Sequence, residues 1–283
     1  MRRHCRSWVL LAALLGCAHA PPPGDGGARE VRLERYAGRL RTVQVAVGGA
    51  DRRFLLDTGG GITLLAPATA REAGCVPWGR LTGFRMSGER MDFPACGPVP
   101  LELAGTGLVP EAAVLDFARI LPPGLPPLAG LVSLQTFGSR AVTLDLGGGR
   151  LWIETAASLA ERTRGMAPLP ARPQLDMGGA GVDLFVAVDG RRGRLWFLVD
   201  SGNLDEVLLA PHALEEVAAG ETLEALRAGR TVEVDLRLAG LGQARVEARE
   251  RDVIYDGVLN AAFLERVVLA VDLGPVRAWV RWR

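Results

Sequence analysis

Lysine is absent from this 283-residue sequence, and all 33 of its basic side chains are arginines. The absence excludes mechanisms that use a lysine as a Schiff base or as a general base. The arginines are nearly balanced by 32 acidic side chains, which gives a formal net charge of +1. A nucleic-acid-binding protein needs a basic excess to neutralise phosphates, so we expect no nucleic-acid partner.

Histidine is nearly absent, with three residues in the whole chain. His4 and His19 fall near the N-terminus, before the predicted folded region, which leaves His212. A zinc site built from several histidines is therefore excluded, and we predict no metal site. Ser-His-Asp or Cys-His catalysis would depend on His212 alone. We interpret His212 as a surface residue of a short helix.

Cysteine is also scarce, and two of the four cysteines precede the predicted folded region. Residues 1–17 resemble a bacterial lipoprotein signal, with early arginines, an apolar run over residues 8–15, and a small residue before Cys17. This pattern predicts lipidation of Cys17, a membrane anchor through that lipid, and a place in the bacterial cell envelope, periplasmic or at the cell surface. Residues 18–30 are then a flexible tether. The alternative is an ordinary secretory signal in which Cys17 is incidental.

The other two cysteines are Cys75 and Cys96. An even pair in an exported chain predicts a disulfide, because the compartment is oxidising. The alternative is two buried free thiols. Two cysteines are too few ligands for a structural zinc site.

The chain repeats itself. Residues 54–59 (FLLDTG) match residues 197–202 (FLVDSG). Three more pairs of blocks match in the same order: residues 45–49 with 186–190, 64–67 with 208–211, and 130–147 with 257–274. The upstream blocks alternate apolar residues and end in Gly-Gly or Asp-Gly, which predicts a β-hairpin before each motif. The duplication predicts two similar β lobes.

Short helices are predicted to begin at the end of the matching blocks 64–67 and 208–211. Pro67 and Pro211 suit the first turn of a helix, and Gly74 and Gly220 suit its end. Between the halves, Ser158 stands three residues before a glutamate, in the form of a capping box. That segment is either a short linker helix or a surface loop.

Each duplicated motif places a carboxylate at the end of a continuous apolar run. Such runs are typical of strands buried on both faces, so Asp57 and Asp200 leave a core directly. A buried carboxylate is costly unless it is hydrogen-bonded or shared. A hydroxyl residue and a glycine follow each aspartate, namely Thr58, Gly59, Ser201 and Gly202. Asp145 and Asp272, at matching strand ends, are interpreted as structural turn residues.

On these motifs and blocks the chain resembles the aspartic peptidases, most closely bacterial retropepsin-like proteins, with the duplicated layout of the pepsin-like enzymes. The resemblance implies an all-β fold of two similar β-barrel lobes with a cleft between them. The lobes would be residues 31–155 and 173–283, joined by an interlobe linker at 156–172. Family segments that pack a strand under each catalytic loop match residues 128–130 and, less well, 255–257.

The resemblance also implies the chemistry. Asp57 and Asp200 would form a catalytic dyad, with Thr58 and Ser201 bracing the two loops. The pair would share one proton and activate a water against a peptide bond; aspartic proteases are a standard example of such a shared proton. The substrate would be a peptide or protein, no cofactor is required, and we expect a monomer.

Two departures from the family stand beside the dyad. The first motif continues with Gly60, where many relatives have Ser, Thr or Ala, and the second continues with Asn203. Asn203 offers a donor to Asp200 that Gly60 cannot offer to Asp57. This asymmetry predicts that Asp200 is the more readily ionised member.

A covering hairpin is predicted between Trp78 and Phe93, although it lacks the tyrosine of pepsin-like enzymes. Trp78, Phe84 or Met86 would contact substrate there, or else are core residues.

Two alternative interpretations of the chain are a non-enzymatic envelope lipoprotein that binds peptides or assists assembly, and an unrelated envelope β-barrel.

Overall fold

The computed structural model describes residues 27–283. The predicted signal, its lipidation site Cys17 and most of the predicted tether lie outside the described residues. Among the helices of residues 27–283, none is both long and apolar enough to cross a membrane.

Strands dominate the first half of the chain. They are β1 Arg29–Arg32, β2 Glu34–Tyr36, β3 Leu40–Val47, β4 Ala50–Leu56, β5 Thr63–Leu65, β6 Trp78–Phe84, β7 Arg90–Pro98, β8 Leu101–Leu103, β9 Thr106–Leu108, β10 Glu111–Val114, β11 Gly130–Val132, β12 Val142–Asp145 and β13 Arg150–Ile153. Helix α1 spans Pro67–Glu72, and 3₁₀ turns span Phe117–Arg119 and Leu134–Phe137. Strands β2 to β11 form one ten-stranded sheet that curls into a half-barrel.

The second half repeats this plan. Its strands are β14 Ala167–Leu169, β15 Ala171–Asp176, β16 Gly181–Asp189, β17 Arg194–Val199, β18 Val207–Leu209, β19 Val232–Leu238, β20 Gly242–Glu250, β21 Gly257–Leu259, β22 Val267–Asp272 and β23 Arg277–Trp282. Its helices are α2 Ala156–Arg162, α3 Leu214–Val217, α4 Gly220–Arg227 and α5 Ala261–Leu264, with 3₁₀ turns at Met177–Gly179 and Pro211–Ala213. Strands β16 to β21 close into a six-stranded barrel where β16 pairs with β19.

A third sheet joins the two halves. Its strand order is β1-β13-β12-β22-β23-β14, with three strands from each half. At its centre β12 and β22 pair antiparallel, with Val142 opposite Val271. The predicted all-β fold with two β lobes is confirmed, and the lobes share this sheet.

The duplicated hairpins are present in both lobes. Strand β4 pairs with β3 and, in parallel, with β11, while β17 pairs with β16 and, in parallel, with β21. The apolar runs before each aspartate lie in the core, where Phe54 and Phe197 are fully buried. The sequence repeat therefore corresponds to the same set of paired strands in both lobes.

Two predicted helix boundaries are wrong. Gly220 does not end a helix; it begins α4, because the chain becomes extended at the buried Ala218 after α3. The linker helix α2 is present, but its cap is Thr155. The Thr155 amide donates to the Ser158 hydroxyl (2.9 Å) and the Ser158 amide to the Thr155 hydroxyl (3.1 Å). Ser158 is thus the partner within the capping box rather than its first residue.

The predicted Cys75–Cys96 disulfide is present, with Cα atoms 5.4 Å apart. It joins the segment after α1 to strand β7. The interlobe linker predicted at residues 156–172 contains α2, β14 and the start of β15, and β14 pairs with β23 in the shared sheet.

Candidate active site

The two motif loops, residues 57–61 and 200–203, meet between the lobes. Each aspartate follows the central strand of its lobe, and its amide donates to the neighbouring parallel strand. The Asp57 amide donates to the Val132 carbonyl and the Asp200 amide to the Leu259 carbonyl, both at 3.0 Å. The backbone of each aspartate is therefore fixed by the neighbouring strand of its own lobe, β11 for Asp57 and β21 for Asp200.

Thr58 and Ser201 brace the two loops against each other. The Thr58 hydroxyl donates to the Val199 carbonyl (2.6 Å) and accepts from the Ser201 amide (3.0 Å). The Ser201 hydroxyl donates to the Leu56 carbonyl (3.1 Å) and accepts from the Thr58 amide (3.0 Å). All four bonds cross between lobes in a buried place, so they fix the separation of the aspartates that precede these residues.

The glycines of the motifs let the two carboxyl groups approach. A Cβ atom on Gly59 would lie 2.7 Å from the Asp200 Cγ, and one on Gly202 would lie 2.5 Å from the Asp57 Cγ. Neither position has room for a side chain. The Asp57 and Asp200 carboxyl groups are near enough for each to act on the pKa of the other.

The loop amides support the carboxylates unequally. The Gly59 amide donates to the Asp57 Oδ1 (3.0 Å). The Asp200 Oδ1 accepts from the Gly202 amide (2.8 Å) and from the Asn203 amide (3.1 Å). The extra donor beside Asp200 is thus the backbone amide of Asn203 and not the expected side chain.

The pKa values of both carboxyl groups of the pair are raised. Burial raises the pKa of Asp57, and hydrogen bonds from Asp200, Gly59 and Gly202 oppose that rise. Burial raises the pKa of Asp200 well above its ordinary value, and the negative charges of Asp57 and Asp183 add to the rise. Both members therefore hold a proton more strongly than an ordinary aspartate, and the greater readiness of Asp200 to ionise stays a prediction. Asp183 adds a charge that the motif does not contain.

The two departures in the motifs have structural reasons. A Cβ atom on Gly60 would lie 2.8 Å from the Leu131 Cδ2, so Leu131 fills the space of a side chain there. The Asn203 Oδ1 accepts from the Asp205 amide (3.0 Å), and its Nδ2 is buried without a partner among residues 27–283. Asn203 therefore supports Asp200 through its backbone and not through its side chain.

Strands β6 and β7 form the covering hairpin, and its tip reaches the second lobe. The Ile254 amide donates to the Met86 carbonyl at the tip (2.9 Å). Met86 packs on the core, whereas Phe84 is exposed beside the tip and Trp78 is exposed at the base. Of the three predicted contact residues, Met86 therefore lies at the bridge between lobes, and Trp78 lies at the far end of the hairpin.

Three residues near the dyad were missed by sequence reasoning. Asp183 on β16, Asp176 at the end of β15 and Tyr255 before β21 all act on one another electrostatically. Burial raises the pKa of Asp183 to about 7, and the charges of Asp176 and Asp57 add to the rise. Burial also raises the pKa of Tyr255, and the nearby carboxylates strengthen the effect. The available signal was an aspartate interrupting the apolar run of β16.

The remaining polar candidates lie elsewhere. His212 is exposed, and its Nε2 lies 2.9 Å from the Asp256 Oδ1. Asp145 accepts from the Gly148 amide (2.7 Å), and Asp272 accepts from Arg277 (2.9 Å), as expected for turn residues. No group of three or more metal-ligating side chains within residues 27–283 is arranged to hold a metal ion.

Comparisons of the sequence with protein-family models and with curated proteins found no match. The functional assignment therefore depends on the geometry of the two motif loops.

Proposed function

We propose that this protein is an aspartic-type endopeptidase of the retropepsin-like and pepsin-like kind. The observation that carries the proposal is the meeting of Asp57 and Asp200, each delivered by one lobe, on two loops that the Thr58 and Ser201 hydroxyls brace against each other. The mutual packing of Gly59 and Gly202 against these carboxyls adds support, because it leaves the dyad as the tightest point between the loops.

The shared proton gives each member of the pair a role. The ionised member takes a proton from a water molecule that lies between the two carboxyls. That water attacks the carbonyl carbon of the peptide bond. The protonated member donates a hydrogen bond to the carbonyl oxygen as negative charge develops on it. Collapse of the tetrahedral species with proton transfer to the amine nitrogen breaks the C–N bond.

The shared proton also sets the pH dependence. Catalysis requires one proton on the pair, and burial raises the pKa of both members. Activity should therefore extend from acidic to mildly acidic pH and fall once both members are ionised.

The decisive experiment compares dyad variants on a diverse peptide mixture. The full chain, purified in detergent, should cleave peptides, and Asp57→Asn or Asp200→Asn should lower kcat by about a thousandfold or more. Asp189→Asn, an exposed carboxylate on β16, is the matched control and should keep the parental rate. Chelators should have no effect, and a statine-type inhibitor should block cleavage. Parental activity in Asp57→Asn would contradict the mechanism and favour a peptide-binding lipoprotein.

We also propose that the enzyme is held at the bacterial cell envelope by a lipid on Cys17. The early arginines, the short apolar run and the position of Cys17 support this proposal, and so does the Cys75–Cys96 disulfide, which suits an oxidising compartment. Cys17→Ser should move the protein from the detergent phase to the aqueous phase on phase partitioning. Mass spectrometry of the mature N-terminus should find an acylated Cys17; an unmodified mature N-terminus at another residue would contradict lipidation.

A further inference from the structure

Asp183 is a third carboxyl group beside the dyad, and one of its oxygens has no hydrogen-bond partner among residues 27–283. The residue is 5 % exposed, and its Oδ1 is fully enclosed without a hydrogen bond from any residue of 27–283. Leaving a buried polar group unpaired costs about 1 to 3 kcal/mol, and more for a charged group. A bound ligand or a water molecule is one way in which such a group is satisfied.

The surroundings of Asp183 are acidic. Asp176, Asp57 and Asp200 all act on it or feel its charge, and Tyr255 adds a phenol. These four carboxylates are called the acidic compartment below. The pKa values of Asp57, Asp183 and Asp200 are raised, and no arginine is among the groups that shift them.

Arg172, on the neighbouring strand β15, contacts aromatic rings. Arg172 pairs across from Phe185, two residues beyond Asp183 on β16. Its guanidinium lies over the Trp196 ring (4.6 Å) and the Phe185 ring (5.7 Å). Opposite Asp183 itself stands Gln174, which is exposed. The compartment is thus short of positive charge.

Asp183 and Asp176 lie close to the first motif loop and to the covering hairpin. The Val182 amide donates to the Gly61 carbonyl of the first motif loop (2.8 Å). A Cβ atom built on Gly61 would be 3.7 Å from the Asp183 Oδ1. One built on Gly83 of the covering hairpin would be 3.2 Å from the Asp176 Oδ2. Asp183 and Asp176 therefore lie between the first motif loop and the hairpin.

From this placement we infer that Asp183, with Asp176 beside it, binds a cationic group of the peptide substrate. The group is a guanidinium or ammonium, supplied either by an arginine or lysine side chain or by a free α-amino terminus. It would donate the missing hydrogen bonds to Asp183 and, through its positive charge, favour the ionised form of that carboxyl group. The inference rests on the proposed peptidase function, because it names the substrate class of that site.

The test uses matched fluorogenic peptides that differ only in arginine or citrulline at one position. Citrulline keeps the shape of arginine and removes its charge. At one position on either side of the cleaved bond, the full-length enzyme should show kcat/KM at least about tenfold higher for arginine, mainly through KM. A parallel pair with free or acetylated α-amino groups tests the terminus as the source of the charge.

Asp183→Asn should bring the arginine-to-citrulline ratio to within about twofold of unity, since the isosteric amide removes only the charge. Asp189→Asn, on the same strand but exposed and paired with Arg194, should keep the parental ratio. A parental enzyme that cleaves both peptides equally at every position, with free and acetylated termini alike, would overturn the inference and leave the peptidase proposal standing.

A binding measurement distinguishes failure of the proposed function from failure of the inference about Asp183. If no peptide is cleaved, the proposed function fails, and fluorescence anisotropy of the same peptides with the parental protein still decides the inference. Binding at least about tenfold tighter for a cationic peptide, lost in Asp183→Asn, would support a cation site without catalysis. Equal binding of all four peptides would overturn it.

Discussion

At the scale of single residues, the site depends on hydroxyls whose partners lie in the other lobe. The Thr58 hydroxyl serves both the Val199 carbonyl and the Ser201 amide. Both partners are backbone groups in a buried place, where water is not available to replace the lost bonds.

Thr58→Val should therefore lower the free energy of unfolding by about 2 to 4 kcal/mol, because two buried backbone groups lose their partner. The matched control is Thr143→Val, since the Thr143 hydroxyl is buried and makes no hydrogen bond within residues 27–283. The control should change stability by less than about 1 kcal/mol. Urea denaturation measures both, and Thr58→Ser should recover most of the loss. Equal effects of the two valine variants would contradict the bracing role.

Asp183 also makes stability depend on pH. Burial, Asp176 and Asp57 raise its pKa from 3.8 to about 7 in the fold. The folded state thus favours the protonated form, so the stabilisation is full below the unfolded pKa and is lost as pH rises to about 7. The carboxyls of Asp57 and Asp200 act in the same direction, because burial raises their pKa values too.

Asp183→Asn should remove most of this dependence, because an amide does not titrate. The parental free energy of unfolding should fall between about pH 4 and pH 7 by up to about 4 kcal/mol more than that of the variant. Urea denaturation across that range gives the comparison. Two parallel curves would show that Asp183 titrates at its ordinary pKa.

At the scale of elements, two tight loops set the distance between the carboxyls. Gly59 packs on Asp200 and Gly202 packs on Asp57, so each loop uses the absence of a side chain in the same way. The loops are fixed by the hydroxyl bonds behind them and cannot retreat without breaking those bonds.

Gly202→Ala should therefore displace Asp57 and lower kcat by about a hundredfold or more, since misplacement by an ångström is enough for such a loss. Gly107→Ala, in β9, is the matched control, because a Cβ atom there would meet nothing within 4 Å. Steady-state kinetics on one peptide compare the two, and circular dichroism confirms that both fold. Full activity in Gly202→Ala would mean that the loops separate freely.

At the scale of the whole molecule, the two lobes are joined by the shared sheet and by a buried ion cluster. Arg41 of β3 is 3 % exposed and donates to the Leu146 carbonyl at 3.1 and 3.0 Å. It also pairs with Glu265, which follows α5 in the second lobe and accepts from Arg39 as well. A buried guanidinium depends on this carboxylate, which compensates its charge.

Glu265→Gln should destabilise the protein by about 3 to 5 kcal/mol, because it leaves the Arg41 charge buried and uncompensated. Glu161→Gln, which breaks an exposed pair with Arg164, should cost less than about 1 kcal/mol. Guanidinium denaturation measures both variants. A small effect of Glu265→Gln would mean that water reaches Arg41.

The sequence by itself determined the features that repeat or run along the chain. These are the all-β class, the duplicated hairpins, the Asp57 and Asp200 motifs with their hydroxyls, and the Cys75–Cys96 pair. Alternating apolar residues, Asp-Gly turns and short motifs are local signals, so they can be recognised in the sequence without knowledge of the fold. Helix ends were less certain, because the break at Ala218 and the cap at Thr155 depend on where the core lies.

Only the tertiary structure decided which distant groups share a space. Asp183, Asp176 and Tyr255 reach the dyad because strand pairing brings β15, β16 and the segment before β21 together, and no spacing in the sequence encodes that meeting. The raised pKa of Asp200 also depends on this placement, because burial is its main cause and the charges of Asp57 and Asp183 add to it. The physical reason is that hydrogen bonds to neighbouring amides are local, whereas burial and charge act across whatever the fold places nearby.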